Sequence, residues 1–184
     1  MRIETTEIEG LVVIHPTIFS DDRGYFYERF NEAKFGELYG QAIHFVQDNQ
    51  AKSSLNVLRG LHFQTGEHAQ AKLVSVISGE VLDVAVDLRP NSPTFGQHYT
   101  IRLSAENKLQ LFVPRGFAHG YAVLSTEAEF FYKCDNYYNK ASEGGIKYDC
   151  PHLSINWEID LHQAIISDKD LVLPTFLEYK NLKK

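Results

Sequence analysis

The chain has 184 residues, with 18 Lys and Arg against 24 Asp and Glu, a formal charge of −6 and 43% hydrophobic residues. That length falls within the roughly 100–200 residues of one domain and suffices to bury a core without staples, so a single domain over residues 1–184 is expected. The acidic balance disfavours a nucleic-acid binder, which would carry a basic face, but allows an acidic small ligand held by a few arginines. No run approaches the ~18 apolar residues of a membrane span. Glu4 and Glu7 stand where a secretory apolar region would begin. Cys134 and Cys150 lack C-x-x-C spacing and read as free thiols in a reducing cytoplasm.

Short apolar runs closed by turn residues recur along the chain. Leu11–Ile14 ends at His15-Pro16, and Gly24–Phe30 alternates aromatic and polar positions. Asn31–Tyr39 carries an N-cap residue, a good helix composition and Gly40 just beyond its end, which predicts a helix. Val57–Gln64 alternates as a strand. Leu73–Ile77 meets Ser78-Gly79, a hairpin-like break before Val81–Leu88. Tyr99–Leu103, Lys108–Val113, Tyr121–Leu124 and Glu129–Cys134 follow, and Pro174–Tyr179 predicts a second short helix. Many short strands with regular turn signals, and helices too short to form a layer, predict an all-β jelly-roll.

Two segments set polar residues against the strand pattern. In Val57-Leu58-Arg59-Gly60-Leu61-His62-Phe63-Gln64, strict alternation puts Leu58, Gly60, His62 and Gln64 on one face and Arg59, Leu61 and Phe63 on the other. In Val113-Pro114-Arg115-Gly116-Phe117-Ala118-His119-Gly120, a tight turn returns His119 to the start of the next strand. The two segments resemble the paired motifs of the cupin superfamily, a double-stranded β-helix. Gln64 stands where that superfamily's second histidine belongs, and His68-Ala69 where its acid would fall. Two imidazoles, His62 and His119, fall short of the three or more ligands a divalent metal wants, so no metal is expected.

A closer resemblance runs nearly end to end. Asp21-Asp22-Arg23-Gly24-Tyr25-Phe26, Phe45-Val46-Gln47-Asp48-Asn49, Arg59-Gly60-Leu61-His62-Phe63-Gln64, Ser92-Pro93-Thr94-Phe95-Gly96, Pro114–Gly120 and Asp135-Asn136-Tyr137-Tyr138 resemble, in order, the dTDP-4-dehydrorhamnose 3,5-epimerases. The resemblance implies a cofactor-free enzyme acting on a dTDP-4-keto-6-deoxyhexose. The 4-ketone acidifies C3 and C5, so each centre can be inverted through an enolate.

On that resemblance His62 is the base, an imidazole whose ordinary pKa of ~6.5 suits proton abstraction. Asp170 orients it, Lys72 contacts the keto oxygen, and Tyr132 delivers a proton from the opposite face. Arg59 and His119 line the sugar and phosphate region. Arg23 and Glu28, with Phe19 and Phe26, reach a neighbouring subunit's nucleotide, which implies a homodimer. Gln47, Asn49, Tyr138, Glu143 and Lys169 are further substrate contacts. Taken without the resemblance, Asp170 reads as a solvated loop acid, Tyr132 as a core tyrosine and Lys72 as a strand-edge charge. Other readings are a 3-epimerase or 5-epimerase of a related dTDP-4-keto-deoxysugar in antibiotic or glycan synthesis, a metal-dependent cupin oxygenase and a non-catalytic sugar-binding cupin.

Overall fold

The structure, a computed structural model, describes residues 1–182; residues 183 and 184, the end of the expected domain, lie outside the described residues. The elements in chain order are β1 (Arg2–Thr5), β2 (Val12–His15), β3 (Ile18–Asp21), β4 (Gly24–Tyr27), α1 (Glu32–Tyr39), β5 (Gln47–Ser54) and β6 (Leu58–Gln64). There follow β7 (Lys72–Ser78), β8 (Glu80–Asp87), β9 (His98–Ser104), β10 (Gln110–Val113), β11 (Phe117–Val123), β12 (Glu127–Cys134), β13 (Glu143–Gly145), α2 (Asp168–Leu171) and α3 (Phe176–Leu182). One sheet has the order β1-β2-β10-β7-β12-β5 and the other β13-β6-β11-β8-β9, all antiparallel. This is the expected jelly-roll.

Three apolar layers explain the sequence pattern. Alternate residues of both sheets, among them Val13, Val74, Val81, Leu111, Val123 and Phe130, meet in the space between them. The opposite face of the five-stranded sheet is covered by the C-terminal segment, where Trp157, Ile146 and Leu153 pack on Leu82, Val84 and Leu58. Buried on both faces, β8 therefore reads as a near-continuous apolar run. On the six-stranded sheet, α1 lays Phe35 on Val12, Ile14, Leu73 and Phe112, a burial worth about 1.5–3 kcal/mol. The α1 helix begins where Asn31 Oδ1 accepts from Lys34 N at 3.1 Å, and ends at Gly40, whose φ of 82° is a left-handed conformation that glycine adopts freely.

Several boundaries differ from expectation. The Gly24–Phe30 strand stops at Tyr27, β10 begins at Gln110, and the last helix starts at Phe176 rather than Pro174. His119 lies inside β11, not at its start. Strands β1, β3, β5 and β13 and helix α2 carry no signal that alternation or helix periodicity detects. The β3–β4 hairpin pairs with neither large sheet and leaves Phe19 and Phe26 63% and 69% exposed. Both cysteines are free and buried. No described helix is long and apolar enough to cross a membrane.

Candidate active site

The site is built on one irregularity in β6. Its pairing with β11 sets Arg59 opposite Tyr121 and His62 opposite His119, so three steps on β6 match two on β11. Gly60 is the extra residue of a β-bulge. Consequently Arg59, His62 and Gln64 all face the interior, while Leu58, Leu61 and Phe63 face the outer apolar layer. The strict alternation expected for this strand is thereby corrected. Only glycine fits here: at a φ of 107°, a Cβ on Gly60 would lie 2.7 Å from His119 O and 2.8 Å from Gly120 Cα.

The bulge also frees a donor. Gly60 N–H donates to Asp170 Oδ2 at 3.2 Å, while Asp170 Oδ1 lies 2.7 Å from His62 Nε2. Asp170 is brought there by α2, whose N-cap Ser167 accepts from Asp170 N at 3.2 Å. Burial alone would push the Asp170 carboxyl up. The hydrogen bond and charge of His62, with the Gly60 and Ser167 donors, outweigh burial and hold it below the usual carboxylate range. Asp170 thus stays ionised and orients an imidazole that is itself partly open to solvent.

A second histidine–carboxylate pair stands beside the first. His119 Nε2 lies 3.0 Å from both oxygens of Asp83, which is fully buried on β8. Asp83 was not anticipated as a site residue. An acid between the inward-facing Val81 and Ala85 of a strand buried on both faces is the signal that marks it. Gln64 Oε1 accepts from Asn139 N, and no described residues group three or more His, Cys, Asp or Glu side chains around a common metal position.

The six-stranded sheet supplies the facing wall. Lys72 and Tyr132, on neighbouring β7 and β12, point inward, with Lys72 Nζ 5.9 Å from the Tyr132 ring centre. Lys72 makes no hydrogen bond to any described residue, and burial lowers its pKa against the opposing influence of Cys134, Asp83 and Glu143. Burial pushes the Tyr132 hydroxyl up to about 12 and the Cys134 thiol up to about 11, so both keep their protons near neutrality. His62, Lys72 and Tyr132 border both a cleft of about 550 Å³ and a smaller cavity of about 280 Å³. A flat ring between the sheets would meet an imidazole base on one face and a phenolic acid on the other.

The remaining expected residues divide into three groups. Arg59, His119 and Lys169 line the larger cleft, and Gln47, Asn49, Tyr138 and Glu143 the smaller cavity. Arg59 Nε donates to Ser53 Oγ at 3.1 Å. The Tyr121 hydroxyl is buried beside these two without a hydrogen bond of full geometry to any described residue; burial raises its pKa, and Ser53 and Arg59 oppose that rise. Lys169 Nζ contacts Glu143 Oε1, and Tyr138 Oη donates to Glu143 Oε2 at 3.0 Å, joining the two cavities across the mouth. Arg23, Phe19 and Phe26 lie instead on the hairpin, and Glu28 just beyond it pairs with Lys34 at 2.8 Å. In this chain these four do not join the His62 cluster.

Residues 5–178 match the family model described as dTDP-4-dehydrorhamnose 3,5-epimerase. A crystal structure of such an enzyme from Elizabethkingia anophelis superposes with a TM-score of 0.94 at 58% identity, covering 97% of each chain. The Escherichia coli (strain K12) enzyme of that name is 50% identical over 100% of this chain and 98% of its own. A dTDP-6-deoxy-D-glucose-3,5-epimerase from Legionella pneumophila, solved with dTDP-4-keto-L-rhamnose, gives a TM-score of 0.91 at 49% identity over 95% of this chain and 92% of that one. A match of this extent, on a fold that sets a histidine–aspartate pair against a lysine and a tyrosine, shows that the chain belongs to the dTDP-4-dehydrorhamnose 3,5-epimerase family.

Proposed function

We propose that the chain is a single-domain cytoplasmic isomerase that inverts C3 and C5 of dTDP-4-keto-6-deoxy-D-glucose to give dTDP-4-keto-L-rhamnose. The observation that carries this reading is the placement of His62 and Tyr132 on opposing sheets, with Lys72 between the two cavities. His62 takes the proton from the carbon beside the ketone. The C–H electron pair forms the carbon–carbon double bond of an enolate, and charge moves to the C4 oxygen. Lys72, with no acceptor among the described residues, donates to that oxygen, a contribution of roughly 10²–10³ in rate. The Tyr132 hydroxyl returns a proton to the other face; solvent then restores the phenolic proton and takes the proton held on His62. Repeating the cycle at the second carbon completes the reaction with no net oxidation.

The nucleotide part of the proposal uses two chains. Arg23, Glu28, Phe19 and Phe26 of one subunit reach the nucleotide held by Gln47, Asn49, Tyr138, Glu143 and Lys169 of its neighbour in a homodimer. Arg59 and His119 attend the sugar and phosphate. The exposed aromatic hairpin, unpaired with either large sheet, supports this reading.

Incubation with dTDP-4-keto-6-deoxyglucose in D₂O, followed by NMR, tests the reaction. Deuterium at both C3 and C5 of an inverted sugar is expected; an unexchanged substrate refutes the proposal. Tyr132→Phe isolates the second half of the cycle, because the ring is kept while the donor is lost. Deuterium should then enter the unepimerised sugar faster than product forms. Equal loss of exchange and inversion rules out Tyr132 as the acid.

A further inference from the structure

Gln64 is the one inward residue of the β6 segment that the mechanism leaves unused. It is 8% exposed and borders the smaller cavity together with His62, Lys72 and Tyr132. The orientation of its amide is settled by its partner. Asn139 N–H is a donor, so the atom 3.0 Å away must be the carbonyl oxygen Oε1. The –NH₂ end is thereby turned elsewhere. Nε2 makes no hydrogen bond to any described residue, yet it is not sealed off among the fully buried unpaired atoms. In a side chain this buried, an open pair of N–H donors on a cavity wall calls for an acceptor supplied from outside the chain.

The carbonyl end has its own task. Tyr138 N–H donates to Gln47 Oε1 at 3.2 Å and Asn139 N–H to Gln64 Oε1, so one glutamine from each sheet holds consecutive peptide groups of the same loop. That loop carries Tyr138, whose hydroxyl reaches Glu143. We propose that Gln64 is a substrate-contacting residue: its side-chain N–H donates to an oxygen of the bound nucleotide sugar while its carbonyl fixes the Tyr138 loop. The proposal rests on the epimerase reading above and assigns one more contact to the same site. The other amides around the cavity, Gln47, Asn49 and Gln70, stand beside the charged Lys72 and Glu143 and add hydrogen-bonding groups that suit hydroxyl and ester oxygens.

Two substitutions separate the ends of the amide. Gln64→Glu keeps the acceptor for Asn139 but replaces the –NH₂ group with oxygen; Gln64→Met is neutral and has neither. Initial rates in the D₂O assay give kcat and KM, and thermal melting reports whether the loop anchor survives. Loss of the donor should raise KM about 3- to 10-fold in both variants, with a smaller change in kcat and Gln64→Glu melting as the wild type does. A wild-type KM in Gln64→Glu leaves only the anchoring role and overturns the proposal. Impairment of Gln64→Glu with a normal Gln64→Met reflects added charge and overturns it equally. Gln64→Leu replaces a Met variant that does not fold. Wild-type protein inert toward the keto-sugar refutes the epimerase reading itself, whereas active wild type with unaffected variants refutes only the role of Gln64.

Discussion

Replacing Asp170 with Asn changes one oxygen to nitrogen and leaves shape and volume intact, so the outcome depends on hydrogen bonding and on the lost negative charge. Asp170 now accepts on both sides, from His62 Nε2 at 2.7 Å and from Gly60 N at 3.2 Å. An amide has only one acceptor oxygen. If that oxygen keeps the Gly60 N–H, the –NH₂ group faces His62 Nε2 and forces the ring to carry its proton on Nδ1. If it turns to His62, the –NH₂ group opposes Gly60 N–H. The first arrangement gives the wrong tautomer, the second a buried unsatisfied donor, and neither stabilises an imidazolium. Exchange at C3 and C5 should fall by about 10²–10⁴, read by NMR as initial deuterium incorporation. A rate within threefold of wild type refutes the orienting role. The same pair predicts an acid limb of stability. Asp170 has its folded pKa depressed, so its contribution is present above the unfolded carboxyl value of ~3.9 and is lost as pH falls through the lower folded value. Asp170→Asn should lack that component of acid destabilisation.

Tyr121→Phe should stabilise the free protein. Its hydroxyl is buried with no hydrogen bond of full geometry to Ser53 or Arg59 beside it, at a cost of up to about 1–3 kcal/mol, while the ring stacks 4.1 Å from Phe130 and would remain. Calorimetry should show a melting temperature raised by roughly 2–4 °C per kcal/mol; an unchanged or lowered value would falsify the orphan assignment. Arg23→Ala should raise KM more than it lowers kcat, as for a contact shared by ground and transition states. An effect confined to kcat argues against a nucleotide contact.

The apolar strands were legible because burial leaves a signature that alternation detects. Val81–Leu88 and Leu73–Ile77 reappear as β8 and β7 with small shifts of boundary. Strand β5 was invisible for the opposite reason. Its inward residues Gln47, Asn49 and Ala51 line the cavities, and its outward Asp48, Gln50 and Lys52 pair with Lys133, Glu129 and Glu127. A strand polar on both faces has no hydrophobic period to read. The His62–Asp170 contact spans 108 positions in sequence, and no spacing rule reaches that far; family resemblance alone named Asp170. The pairing of His119 with Asp83 likewise needed the β8–β11 ladder to bring them together. Alternation failed on Arg59 because one bulged residue reverses the parity of everything before it.

That bulge limits how this segment can evolve. Side chains along Arg59–Gln64 can be exchanged one at a time except at Gly60, where only glycine fits, and the bulge itself must be kept. Without the bulge, a strand of this length would put Arg59 and His62 on opposite faces. Either the guanidinium would be driven into the apolar layer under Trp157 and Ile146, or the imidazole would leave the interior and lose Asp170. Deleting Gly60 would keep the two side chains on one face but remove the peptide donor to Asp170. Insertions and deletions, which surface loops absorb easily, are therefore costly in the stretch that carries the base, and variation in this strand is confined to the chemistry of its side chains.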